Sequence, residues 1–277
     1  MFNNRNNWFF LLTASIVIMN GCSLGEPKKE EKATIKATAK SQTTVSESKS
    51  DPKTQLLYKM RDTVDTFTTV KGNFVESSKR DGESNVEFVV QEGDHPESYV
   101  KSTSKDRRTE DIYTGKYFAS KVNGTFAHIA HAAPPGPNKF NKKSPLVLEK
   151  MPDGSKLYNT RPDHAQTGRA EAIVAPLTYA IGYLENQEKW SFQPDERLLG
   201  REVTVVSGEL SDYFKEKHQA ETFKYWIDKQ TGMVLKRETY DKQGKIVDKL
   251  EVKNLEINVP INTSLFNIPQ NIIKSIY

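Results

Sequence analysis

Leu56, Leu57, Met60, Val64 and Phe67 fall at helical spacing, so the stretch opened by Asp51-Pro52 predicts one amphipathic helix ending near Phe67. The acid suits the capping position and the proline the first helical position. Beyond it the apolar period changes to two. Strand signals run through Val70–Ser78, through the alternating Val86, Phe88 and Val90, and through Tyr99-Val100 and Ile112-Tyr113. Gly115–Val122 and Thr125–His131 flank Asn123-Gly124, a dipeptide suited to the two positive-φ positions of a tight hairpin turn. Such local connections predict an antiparallel meander.

The rhythm breaks over 132–167, which holds Pro134-Pro135-Gly136-Pro137, a lysine-rich patch and Leu146-Val147-Leu148. A stretch this long without clear elements is either a mobile or functional loop or a surface insertion. Gly168 to Asn186 then reads as one helix. Its stripe is Ala170, Ile173, Val174, Leu177, Ala180, Ile181 and Leu184, with Pro176 kinking it or dividing it in two.

Strands return with Val203–Ser207 and with Glu221–Asp228, where Phe223, Tyr225 and Ile227 share one face and Trp226 takes the other. Turns follow at Lys229–Gly232 and around Gly244, with Met233–Tyr240 between them. In the last strand Leu250 and Val252 alternate in one phase, Leu255 and Ile257 in the opposite one. One face can hold both pairs only if a bulge lies near Lys253-Asn254. Leu265, Phe266 and Ile268 are expected to close the core. The pattern predicts an α+β fold, mainly antiparallel, with one large curved sheet partly covered by helices.

Upstream of this domain, placed at 52–277, the pattern is different. Arg5 precedes an apolar stretch from Trp8 to Met19, too short to span a bilayer as a permanent helix and arranged like a secretory signal. The chain has one cysteine, Cys22, and Met19-Asn20-Gly21-Cys22-Ser23 resembles a bacterial lipobox. Residues 1–21 are therefore expected to be a lipoprotein signal peptide and Cys22 the site of lipid attachment, rather than an incidental thiol behind an ordinary signal or an uncleaved anchor. Residues 22–51 carry few large apolar side chains and are expected to form a disordered tether, with a surface helix over Lys28–Lys40 as the weaker alternative. About 30 flexible residues reach roughly 30 Å, and two or more acyl chains make such an anchor durable. The resemblance implies an exported protein held on the bacterial cell membrane with its domain outside the cytoplasm.

Composition narrows the chemistry. A chain of 277 residues with 36% hydrophobic content can bury a core, and its mean hydropathy is −0.67. A net charge of +4 from 40 basic and 36 acidic residues is a mixed surface, not a nucleic-acid footprint. No Gly-x-Ser-x-Gly, phosphate loop or dinucleotide fingerprint is present, so no enzyme or cofactor role is read. In a strand, the three-residue offset of His128 and His131 sends them to opposite faces and argues against a shared metal. Glu110-Asp111 beside Arg107-Arg108, and the run Lys236-Arg237-Glu238, read as solvated charged faces.

The helix leading into Val70-Lys71-Gly72-Asn73-Phe74 resembles the periplasmic lipoprotein-carrier superfamily (LolA/LolB-like). So do the strands around Tyr225-Trp226-Ile227-Asp228-Lys229-Gln230-Thr231-Gly232, the turn Tyr240–Lys245 and the terminal Leu265-Phe266-Asn267-Ile268-Pro269. The resemblance runs from about Thr54 to Pro269. It implies an incomplete barrel whose helices cover the concave face over an apolar cavity that takes acyl chains. Two functions are carried forward. One is a membrane-anchored, non-enzymatic protein binding a lipid or acylated ligand, with Ile173, Leu177, Ile181, Phe223 and Tyr225 as candidate lining. The other is a sensor or anti-regulator that binds another envelope protein.

Overall fold

Asp51 accepts the Thr54 amide at 2.8 Å and Pro52 opens α1, Pro52–Arg61. The structure is a computed structural model and describes residues 51–132, 142–152 and 156–276. The expected signal peptide, Cys22 and nearly all of the tether lie outside the described residues. Helix α1 stops earlier than its spacing suggests: a 3-10 turn over Thr63–Thr66 completes the run, and Phe67 is already extended.

Six antiparallel strands follow: β1 Thr69–Ser78, β2 Gly82–Gln91, β3 Glu97–Ser104, β4 Arg108–Tyr113, β5 Tyr117–Val122 and β6 Thr125–His131. Asn123 and Gly124 join β5 to β6 with φ of 51° and 87°, the two left-handed residues that a primed hairpin turn needs. His128 and His131 pair with Ser120 and Tyr117, which lie on opposite faces. The long break is not wholly irregular. It holds a small hairpin, β7 Val147–Lys150 with β8 Lys156–Tyr158, and Leu146 is buried beneath α1 and its neighbours.

The stretch from Gly168 is two helices. After a 3-10 turn at Gly168–Ala170, α2 spans Glu171–Val174; Ala175 leaves helical geometry, and α3 spans Leu177–Leu184 behind Pro176. The expected stripe is nonetheless buried except at Ile181, which is half-buried. The remaining elements are β9 Trp190–Leu198, β10 Arg201–Glu209, α4 Asp212–His218, β11 Thr222–Asp228, β12 Val234–Tyr240, β13 Ile246–Ile257 and the short α5 Gln270–Ile273.

All strands except β7 and β8 form one eleven-stranded sheet in the order β6-β5-β4-β3-β2-β1-β13-β12-β11-β10-β9. It is antiparallel throughout and not closed, in agreement with the α+β expectation of a curved, incomplete barrel. The bulge falls where the phase change puts it. Asn73 pairs with Asn254 but Phe74 with Val252, so Lys253 is the extra residue. Gly72 has no Cβ because one would collide with the Asn254 carbonyl oxygen and crowd the Phe88 ring.

Register sorts the faces. Phe74 pairs with Val86 and Val252, and Phe88 with Val100, so these share one face with Val70, Val90 and Leu250. Ala165, Ala170, Ile173 and Val174 join the cluster these residues form. Further along the sheet, α1 and α3 enclose Phe223, Tyr225 and Ile227. Trp226 lies on the other face beneath Lys224 and Lys236, whose ammonium groups sit 4.5 and 4.3 Å from its ring. Near β4–β6, Ile268 packs with Ile112 and Ala119, and Ile272 and Ile273 lie against them.

Candidate binding cleft

Polarity changes stepwise along the inner face. One row reads Val252, Phe74, Val86, Ser102 across β13, β1, β2 and β3. The next, toward the β1–β2 turn, reads Tyr225, Arg237, Leu250, Glu76, Ser84. The row after that reads Thr239, Asp248, Ser78, Gly82. The inner face thus passes from apolar core to charged floor within two rows, about 7 Å each. A cleft of about 500 Å³ opens over that floor. It is walled by the β1–β2 turn, by Lys217–Gln219 at the end of α4, and by Arg169 from the covering segment. A neighbouring cleft of about 660 Å³ shares Ser77, Ser78, Lys79 and Gln219 and extends to the β12–β13 turn.

The elements that form the cleft are tied together by polar contacts. Asp248 Oδ2 lies 2.6 Å from His218 Nδ1, and His218 Nε2 lies 3.2 Å from Tyr183 Oη, linking β13, α4 and α3. The carboxylate at Nδ1 sets the tautomer, so the tyrosine hydroxyl donates to Nε2. Burial pushes the Tyr183 hydroxyl upward and keeps it protonated for that role. Arg169 pairs with Glu76 and donates to Ser102 Oγ at 2.5 Å, pinning the cover to β1 and β3.

Six lysines and arginines line the first cleft against three acids. Arg80 pairs with Asp81, Arg169 with Glu76 and Lys249 with Glu251. Lys79, Lys217 and Arg237 form no ion pair among the described residues. Arg237 is the deepest of them. Among the described residues its Nε and the Oη of Tyr225 beside it make no hydrogen bond of good geometry, although the two groups interact and the Asp248 charge acts on the guanidinium. The guanidinium sits 5.8 Å from the Tyr183 ring. The reading of Lys236-Arg237-Glu238 as a solvated face is therefore corrected. Alternation turns Arg237 inward while Lys236 goes out to Trp226, and Glu238 is buried beside Lys236 and Tyr240. Glu110 departs from its reading in the same way: it is buried, paired with Arg108 and Lys121, and accepts from Tyr99.

A second polar region lies at the other side of the cover, and its surplus is acidic. Burial, reinforced by Asp163, raises Glu92 to about 7, and Glu92 makes no ion pair among the described residues. Burial and Asp163 likewise raise Glu171 to about 6. Asp163 accepts from the Thr167 amide at 2.7 Å, yet burial still holds its carboxyl above the ordinary range. Nearby Arg161 is engaged with Asp65 at 2.5 Å.

Of the residues named from sequence, Ile173 packs in the cluster around Phe74, while Leu177, Phe223 and Tyr225 pack together under α1 with Ile181 at their margin. None of the five lines either cleft, although Tyr225 backs onto Arg237. Among the described residues no group of three His, Cys, Asp or Glu is placed to hold a metal. No helix among them is long and apolar enough to cross a membrane.

Fold and site together define an open-sheet α+β domain with a charged cleft at the edge of its inner face. Residues 166–270, which supply its cover and β9 to β13, match the family model described as the MucB/RseB N-terminal domain. The chain is similar to the solved MucA/MucB complex of Pseudomonas aeruginosa, at 12% identity and a TM-score of 0.44, over 79% of this chain and 62% of that one. It is also similar to the lipoprotein LppX of Mycobacterium tuberculosis, at 12% identity and a TM-score of 0.38, over 75% and 97%, and to LprF of Mycobacterium bovis, at 10% and 0.37, over 76% and 94%. The chain spans about three fifths of the length of the MucB structures it matches. No curated protein matches it.

Proposed function

We propose that this protein is a non-enzymatic binding protein of the bacterial envelope. It is tethered by lipid on Cys22, faces out of the cytoplasm, and takes a lipid or acylated ligand across its inner face. The supporting observation is the boundary at Arg237, where an apolar interior meets an ion-lined cleft. An amphiphile has the matching two ends. Its apolar part would enter beneath the cover formed by α2 and α3, where Ile173, Leu177, Ile181, Phe223 and Tyr225 lie, and its polar part would stay in the cleft. Solvent extraction of the purified full chain tests this. Non-covalent lipid at near-stoichiometric yield is expected; an empty extract, with one envelope protein recovered by crosslinking, overturns it.

That second outcome belongs to the alternative of an envelope sensor or anti-regulator. The match of 166–270 to the MucB/RseB domain favours it, as does β6, which pairs with β5 alone among the described strands, the position at which a partner's backbone would add a strand.

A further inference from the structure

We propose that the cleft beside Arg237 is a phosphoryl-anion site, with Arg237 as its deepest ligand and Lys79 and Lys217 as its rim. The inference deepens the amphiphile reading, on which it rests for the source of the anion.

Three of the cleft's six cations are neutralised by carboxylates of their own, and Lys79, Lys217 and Arg237 are not. The one carboxylate on the floor near Arg237 is Asp248; it hydrogen-bonds His218 at 2.6 Å and its negative charge also acts on Arg237, which leaves Lys79 and Lys217 as the cleft's surplus. A guanidinium cannot shed its charge as a buried lysine or acid can. Burying it costs free energy, and an anion in the cleft would add to the offset that Asp248 provides. Tyr225 across the strand pair lies behind Arg237, outside the cleft, so Arg237 is the group that faces an anion at the inner end. The volume of about 500 Å³ is far larger than a carboxylate needs. The cations come from several sides: β12 below, the β1–β2 turn on one flank and the end of α4 on the other, where the Lys217 ammonium lies over the Tyr213 and Phe214 rings. A phosphate ester offers non-bridging oxygens in several directions, whereas a carboxylate offers two in one plane. Leu250, next to Arg237 in its row, belongs to the core, so an ester bound here would have its organic substituent beside apolar surface.

Calorimetry on the full chain in non-ionic detergent tests the site. The probes are inorganic phosphate, dihexanoyl phosphatidate and uncharged dihexanoylglycerol, on wild type and Arg237→Gln. The expected result is phosphatidate binding that Arg237→Gln weakens by roughly tenfold or more. If phosphate binds as tightly as phosphatidate and loses as much in the variant, the anion site stands and the amphiphile reading fails. If phosphatidate and the glyceride bind alike and the variant changes neither, the anion site is overturned and the amphiphile reading survives. Absence of binding by all three probes overturns both. Should Arg237→Gln fail to fold, the pair Lys79→Ala with Lys217→Ala, both exposed, decides. It is expected to weaken phosphatidate binding by roughly threefold to tenfold and to flatten its salt dependence; unchanged affinity and salt slope overturn the proposal.

Discussion

The covering segment has a polar region on each side, and the two treat surplus charge in opposite ways. On the Glu92 side the excess is carboxylate, and burial answers it by lifting Glu92 and Glu171 toward neutrality. On the Arg237 side the excess is cationic, and the central group has no neutral form to adopt near pH 7. The first region can settle its imbalance with protons from water. The second has Asp248 to set against Arg237, and the remaining cations, Lys79 and Lys217, form no ion pair among the described residues. Burial beside the same cover therefore leads to a titrating cluster in one place and a cationic one in the other.

The largest effect should come from removing what separates them. Phe74 is fully buried between the covering segment and the sheet. Phe74→Ala is expected to cost about 3–5 kcal/mol, read as a lower urea midpoint, and to disturb both regions together. A change confined to one of them would show that they do not share this core. Next in size is Glu92→Gln. A carboxyl raised in the folded state contributes its full stability below the unfolded value of 4.5, and that contribution is lost as pH rises through about 7. Wild type should thus weaken relative to the variant between pH 4.5 and 7. The difference should level off at roughly 1–2 kcal/mol, since partial solvent contact screens the full shift. Parallel stability curves across that window would remove Glu92 from the comparison. The smallest effect has the opposite character. Arg237→Met, in phosphate-free buffer, is expected to raise stability by roughly 1 kcal/mol, equally at pH 5 and pH 8. A loss of stability would mean that the guanidinium is already satisfied.

Much of the scaffold was legible because its signals are local. Asp51-Pro52, Asn123-Gly124 and the phase change at Lys253 each act within a few residues, and each appears where its chemistry requires. The hairpin at Asp228–Gly232 is similar in kind. Burial works to raise the Asp228 carboxyl, but hydrogen bonds from Arg201 and from Thr231 outweigh it and hold it below the usual carboxylate range. What escaped the sequence was assembled at a distance. Strand β9 carries Pro194, tolerated because β9 is an edge strand and its register with β10 is irregular there. Helix α4 buries none of its residues, so it has no apolar stripe to read. The cleft joins residues from 76 to 249, and Arg237 looks like a surface charge until strand alternation is anchored by its neighbours Tyr225 and Leu250.

Lys253 also shows how much one inserted residue can govern. Gly72 pairs with Leu255 and Phe74 with Val252, so the extra residue lets both apolar phases of β13 point inward. Shortened by that single lysine, the strand would have to present either Leu250 with Val252 or Leu255 with Ile257 to water. Because β13 sits between β1 and β12, the fault would run through the middle of the sheet, carrying Arg237 and its whole row with it.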